Sequence, residues 1–253
     1  MTPRKILITG SSRGIGRAVA EAFAAAGGTV AVHHRDSARL AAEVAASLPG
    51  SGHIVVQADV ADPVAVRVMV DDAASRLGGL DVLVNNAAVF GSRSAPGVTD
   101  MSYEQWQLAW RTTIDANLTG AANVSWCAVQ HMLAAGGGAI VNVSSRGAFR
   151  GEPHHPAYGA SKAGLNSLGQ SLAVALAPHN ITVAAVAPGF VQTDMAAAHL
   201  QGESGDAIRA QSPFNRVATP AEIASAVVFL ASPEAAWASG AILDLNGASY
   251  LRT

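Results

Sequence analysis

The side chains with the clearest chemical potential are Tyr158 and Lys162. They lie four positions apart in a stretch whose pattern predicts a helix over about 157–177, so they share one helix face. A phenol with a pKa near 10 is a poor base at neutral pH, but an adjacent ammonium favours the phenolate. Such a tyrosine donates a proton to a carbonyl oxygen or accepts one from an alcohol. Taken alone, the pair is equally a surface tyrosine beside a lysine. Ser145, thirteen residues before Tyr158 at the end of an apolar run, adds a hydroxyl able to hold a substrate oxygen. Its neighbour Ser144 faces the other way by strand alternation.

A second centre lies near the start of the chain, where Ile6-Leu7-Ile8-Thr9 runs into Gly10-Ser11-Ser12-Arg13-Gly14-Ile15-Gly16. Gly10 suits a tight turn, and Gly14 and Gly16 let backbone approach a pyrophosphate at a helix N-terminus. A glycine-rich turn without ligand is the plain alternative. The strand before it and the helix after it argue for the phosphate site.

The elements that must position these groups follow from periodicity. Strands are expected at Lys5–Thr9, Thr29–His33, His53–Gln57, Asp81–Asn85, Ala139–Ser144, Thr182–Ala187 and Ala241–Leu245. Helices are expected at about 14–26, 37–48, 63–77, 102–117, 119–135, 157–177 and 220–231. The strands are nearly continuous apolar runs, as when helices cover both faces of a parallel sheet. The alternation implies a doubly wound α/β fold, one domain over residues 1–253 with a seven-stranded parallel sheet. Two polar segments, Phe90–Met101 and Gln192–Ser212, are expected as loops after strand C-termini, where ligands sit in such sheets. The second is the expected substrate loop.

Bulk properties narrow the function. Half of the residues are apolar and 13% are charged, and the net charge of -2 gives no electrostatic case for nucleic acid or an anionic membrane. Cys127, the one cysteine, sits in an apolar helical stretch and reads as a small buried hydrophobe. Strand-like sequence begins at Ile6, leaving too short a leader for a signal peptide. No apolar run is long enough to span a membrane. The expectation is a cytoplasmic protein. No grouping of His33, His34, His131 and His179 resembles a metal site.

The glycine spacing Thr9-Gly-x-x-x-Gly-x-Gly resembles the fingerprint of the classical short-chain dehydrogenase/reductase family. The likeness continues through Asp59-Val60, Asn85-Asn86-Ala87-Ala88, Asn117, Ser145, Tyr158-x-x-x-Lys162, Pro188-Gly189 with Val191 and Thr193, and Asp244-Leu245-Asn246-Gly247. It covers essentially the whole chain in order. It implies hydride transfer between a nicotinamide and a carbonyl or secondary alcohol. Tyr158 is then the acid/base, Ser145 orients substrate, Lys162 tunes Tyr158 and binds the nicotinamide ribose, and Asn117 completes a proton relay. Gly10, Ser12, Arg13, Gly14, Ile15, Gly16, Asp59, Val60, Asn86, Ala87, Pro188, Gly189, Val191 and Thr193 line the cofactor. The family also implies a homotetramer. The Ala/Trp-rich faces of the helices around 102–135 and 157–177 exceed what one core needs and are expected to pair with another subunit, with Trp106, Trp110 and Trp126 packing or lying at that interface.

Members that use NAD place an acidic residue at the end of the second strand, where this chain has His34 and then Arg35. Arg13 and Arg35 could converge on a 2′-phosphate, which favours NADP(H). Asp36, two residues on, keeps NAD(H) open as a ribose ligand. Within the family the chain looks most like 3-oxoacyl-[acyl-carrier-protein] reductases. It lacks their basic residues before the fifth strand, where it has Ala134-Ala135-Gly136-Gly137-Gly138-Ala139, and has His179 at a docking-arginine position. A free small carbonyl compound is therefore favoured over an acyl carrier protein, although Arg93, Arg146 or Arg150 could supply another docking patch. Arg146 and Phe149 are the expected pocket-lining residues, with His154-His155 read as solvated. Ala88 and Ala248 stand where the family has glycine. A nucleotide-binding regulator without turnover is the alternative from another class.

Overall fold

The computed structural model describes residues 3–91, 97–197 and 200–252. Among these, seven parallel strands form one sheet in the order β3-β2-β1-β4-β5-β6-β7. They are β1 (Lys5–Ile8), β2 (Thr29–His34), β3 (Ile54–Gln57), β4 (Val82–Asn85), β5 (Gly138–Val143), β6 (Ile181–Pro188) and β7 (Ile242–Leu245). Each lies within one residue of its expected position. The strand order reverses between β1 and β4, so a crevice opens there beyond their C-terminal ends.

Helices cover both faces. Alternate strand residues Ile6 and Ile8 pack with Val19 and Phe23 of α1 (Gly14–Ala25), Val44 of α2 (Ala38–Ser47) and Val227 of α10 (Pro220–Leu230). Leu7 and Leu83 face the other way, onto Met69 of α3 (Pro63–Leu77) and Val124, Cys127 and Met132 of α5 (Gly120–Ala135). Cys127 is a buried core residue. The helix ends follow local chemistry. Asp62 accepts from the Val64 and Ala65 N–H groups ahead of Pro63, and Gly78 ends α3 at φ 74°. Thr219 and Glu222 form a capping box at the start of α10.

Three features depart from the expected outline. The helices expected at 102–117 and 119–135 are one continuous rod. In it, α4 (Tyr103–Ile114) joins α5 through a π-helical turn, Asp115–Thr119. The Gln192–Ser212 segment is not simply a loop, because it holds the short helices α8 (Asp194–Ala197) and α9 (Gly202–Arg209). Two further short stretches, α6 (Gly147–Arg150) and the turn before it, lead from β5 into α7 (Pro156–Leu176). Among the described residues, no helix is long and apolar enough to cross a membrane.

Candidate active site

The glycine turn is built by main-chain geometry and held by three neighbours. Gly10 (φ 65°) and Gly14 (φ 58°) occupy the left-handed region, which strains any side chain. The Gly10 N–H donates to His33 Nδ1 at 2.8 Å, and His33 Nε2 lies 3.1 Å from the Ala58 carbonyl. His33 therefore carries its proton on Nε2, and burial pushes its pKa down to about 4. Thr9 Oγ1 accepts from the Asn86 and Ala87 N–H groups, both at 3.0 Å. Asn86 Nδ2 in turn donates to the Thr9 and Gly10 carbonyls, each at 2.9 Å. A Cβ on Gly16 would stand 2.5 Å from Asn86 Nδ2 and closer still to the Gly10 oxygen. One on Gly14 would meet the Thr193 methyl at 3.4 Å.

The turn, the end of β4 and Thr193 thus face one another across the crevice. Ser12 is buried and Ile15 half-buried, while Arg13 is exposed at the start of α1. Val191 is buried, and Gly189 lies so close to Asn246 that an added Cβ would sit 3.1 Å from its Cα. Pro188 accepts from the Arg146 N–H at 2.9 Å. At the end of β2, His34 is buried with Nδ1 unpartnered, and Arg35 is exposed in a 2.5 Å ion pair with Asp36. The two side chains weighed as opposite cofactor signals hold each other. Asp59 is exposed and accepts from the Ala61 N–H at 3.0 Å, with Val60 buried behind it.

The second half of the site sits on β5, α7 and the π turn. Lys162 is buried, and its ammonium donates to the Val143 carbonyl at 2.8 Å and lies 5.8 Å from the Tyr158 ring centre. Ser145 hydrogen-bonds the Tyr158 phenol and accepts from the Gly147 N–H at 3.0 Å. Ser144 is buried on the other side, donating to the Lys162 carbonyl at 3.3 Å. Asn117 lies in the π turn. Its amide nitrogen donates to the Val89 carbonyl at 2.9 Å and Ser161 Oγ at 3.1 Å, and its oxygen accepts from the Val89 N–H at 2.8 Å. It ties the segment after β4 to α7, since Ser161 donates on to the Tyr158 carbonyl at 2.8 Å. π turns of this kind recur where a helix must re-aim a side chain at a site.

Electrostatics here differ from the expectation of a phenolate favoured by Lys162. Burial pushes the Tyr158 phenol up to about 12, against the pull of the Ser145 hydrogen bond, with the Glu152 charge pushing further. Burial also lowers Lys162 from 10.5 to about 8. Desolvation is the largest cause of both shifts, so Tyr158 is held as a proton donor at neutral pH.

Composition missed two neighbours. The Phe90 ring meets Tyr158 edge-on at 4.7 Å, and His155 lies 4.4 Å from Phe90. His155, read as solvated, instead packs against the aromatic wall of the site, while His154 is exposed. Phe149 turns away, with its ring beneath Arg252 at 4.2 Å. Of the residues weighed as a docking patch, Arg93 lies outside the described residues. Of the two alanines at glycine positions, Ala248 adopts φ 58°, a left-handed strain of about 1 kcal/mol, and Ala88 does not. Among the described residues, no group of three His, Cys, Asp or Glu could hold a metal ion.

A parallel doubly wound sheet with a glycine turn at its reversal point and a Ser, Tyr and Lys cluster beyond β5 defines a class, and comparison with known proteins agrees. The family model described as "Enoyl-(Acyl carrier protein) reductase" matches residues 10–247. A cis-4-hydroxycyclohexanecarboxylate dehydrogenase of Sinomonas cyclohexanicum is 39% identical over 96% of this chain and 95% of its own. A 3-oxoacyl-[acyl-carrier-protein] reductase FabG of Staphylococcus aureus is 37% identical over 98% of each. A short chain dehydrogenase from Burkholderia cenocepacia J2315, solved in complex with NADP, superposes with a TM-score of 0.86 at 36% identity over 97% of each chain. The chain belongs to the short-chain dehydrogenase/reductase family and is an oxidoreductase of that family.

Proposed function

We propose that this chain uses NADP(H) to interconvert a ketone and a secondary alcohol on a free small molecule, with residues 1–253 as one functional domain. The observation that carries the reading is the meeting of three side chains, the Tyr158 phenol hydrogen-bonded to Ser145 with the Lys162 ammonium 5.8 Å from its ring centre. The glycine turn fits a dinucleotide, because a Cβ on Gly10 or Gly16 would crowd neighbouring backbone and Gly14 holds a left-handed conformation. Gly10, Ser12, Gly14, Ile15 and Gly16 would hold the pyrophosphate side, with Asp59 and Val60 near the base. Asn86, Ala87, Pro188, Gly189, Val191 and Thr193 would flank the nicotinamide half. When bound, the nicotinamide supplies or takes up the hydride. Ser145 positions the substrate oxygen, Tyr158 passes its proton to it in reduction, and Lys162 holds positive charge beside the ribose and phenol. Asn117 keeps α7 and the segment after β4 in register.

NADP(H) is favoured by the exposed cations Arg13 and Arg35 near the end of β2 and by the absence of a carboxylate at His34, and the Burkholderia relative was solved with NADP. Arg35 must exchange Asp36 for a phosphate, which is feasible because an exposed ion pair is worth only about 0–1 kcal/mol. The double variant Arg13→Ala, Arg35→Ala is expected to raise KM for NADPH at least about tenfold, one bidentate contact's worth, and barely move that for NADH. Steady-state kinetics with both cofactors checks this, and an unchanged ratio reverses the preference.

The FabG relatives favour a second reading, reduction of a carrier-bound 3-oxoacyl thioester. Oxidation of NADPH against a panel of free ketones and a 3-oxoacyl thioester on carrier protein separates the two. Preference for the carrier-bound thioester selects the second. The helical segment 192–212 is proposed as the substrate-covering element. Self-association, as a tetramer, is supported by exposed Leu108, Trp126 and Val174 on α4, α5 and α7. Light scattering giving a monomer mass would overturn it.

A further inference from the structure

Directly after Ser145 the chain buries a positive charge that the hydride chemistry does not use. Arg146 is 5% exposed. Its guanidinium donates to Gln211 Oε1 at 2.6 Å and to Ser249 Oγ, and stacks over Phe190 at 5.1 Å. All three partners are neutral. Arg150 reaches the same Gln211 oxygen at 3.3 Å. Neither arginine makes an ion pair among the described residues. Glu152 acts on both arginines from a distance without pairing with either, and burial raises its pKa against their pull.

Two guanidiniums converging on one amide oxygen are arranged as for an anion, because a buried cation is costly unless paired. Arginine forks match a carboxylate in particular. Arg146 lines a cleft of about 430 Å³ with a mixed wall, apolar at Phe190, Phe214, Val217 and Leu245 and charged at Arg216, Glu222 and Asp244; both carboxylates are already engaged, by Arg216 and Arg252. The partners of Arg146 are not those of Tyr158, which packs on Phe90.

Resting on the carbonyl–alcohol chemistry proposed above, we propose that Arg146 and Arg150 receive the carboxylate of an oxo or hydroxy acid. Gln211 holds the two arginines in place and yields to the substrate. The site specifies the substrate class. Nothing in it takes part in hydride or proton transfer.

Two measurements test this. In the first, NADPH oxidation is compared for 4-oxocyclohexanecarboxylate and its methyl ester. The acid is expected to have a kcat/KM at least about tenfold higher, the value of one charge-assisted contact. In the second, calorimetry follows cyclohexanecarboxylate against cyclohexanecarboxamide, with no turnover involved. Two variants accompany both: Arg146→Met, and Gln211→Glu, which places an internal carboxylate between the arginines and secures folding where loss of Arg146 does not. Both should collapse the acid-over-ester ratio and abolish cyclohexanecarboxylate binding, and Gln211→Glu should raise the melting temperature. Equal turnover of acid and ester, with no arginine-dependent binding, overturns the inference and leaves the carbonyl chemistry standing. Arginine-dependent binding without turnover of any ketone does the reverse. A preference for 3-oxoacyl pantetheine 4′-phosphate over both would assign the arginines to a phosphate and overturn the carboxylate.

Discussion

Replacing Tyr158 with phenylalanine is expected to lower kcat by about 10²–10⁴-fold, the range that a positioned acid or base contributes. Only the hydroxyl is removed. The ring keeps its edge contact with Phe90 at 4.7 Å, so α7 and the crevice keep their shape and NADPH still binds. The proton that must reach the carbonyl oxygen then loses the donor that the phenol supplied, and Ser145, whose oxygen accepts from the Gly147 N–H, is left only to hold the substrate oxygen. Stopped-flow reduction together with fluorescence titration of NADPH separates chemistry from binding. A variant retaining more than about a tenth of the rate would mean that another group supplies the proton.

Lys162→Met should cost about 10²–10³ in kcat/KM, comparable to removing one preorganised electrostatic contact. Its pH signature identifies the group. With Lys162 held at about 8, the ammonium is charged below that pH and lost above it. The reductive rate of the unaltered protein should fall as pH rises through about 8, and the methionine variant should lack that limb. Stability moves the opposite way. A lysine whose pKa is lowered on folding from 10.5 to about 8 destabilises the fold below pH 8, and the penalty fades as pH rises toward 10.5. The variant should therefore melt higher at pH 7, with the gap closing between pH 8 and 10.5. A rate that stays flat to pH 10 in the unaltered protein would contradict the assignment.

The parts of this site that sequence revealed are those whose causes are local. Seven apolar runs became seven strands because each must be buried on both faces. Gly10 announced a tight turn and Gly14 and Gly16 a close approach of backbone, and the four-residue spacing of Tyr158 and Lys162 put both on one side of α7. What stayed hidden depends on partners far along the chain. Phe90 reaches Tyr158 across 68 positions, and nothing around Phe90 signals it. His33 looked like a strand residue and proved to tie the glycine turn to Ala58. The helix Gly202–Arg209 has weak caps and polar composition, so its pattern resembled a loop. The phenol's upward shift was hidden too, since burial is a property of the assembled site and the Tyr–Lys spacing carries only the attraction.

The π turn at Asp115–Thr119 constrains the chain by length rather than by residue type. A wider turn holds one residue more than an α-helix would, so α4 and α5 stand about 100° out of step with each other. That offset lets Asn117 reach Val89 while Val124, Cys127 and Met132 meet the sheet on the following turns. Removing any one residue there would give a more regular helix that satisfies only one of these demands. Insertions and deletions are thus barred from this rod, and the active site and the core share a single count of residues.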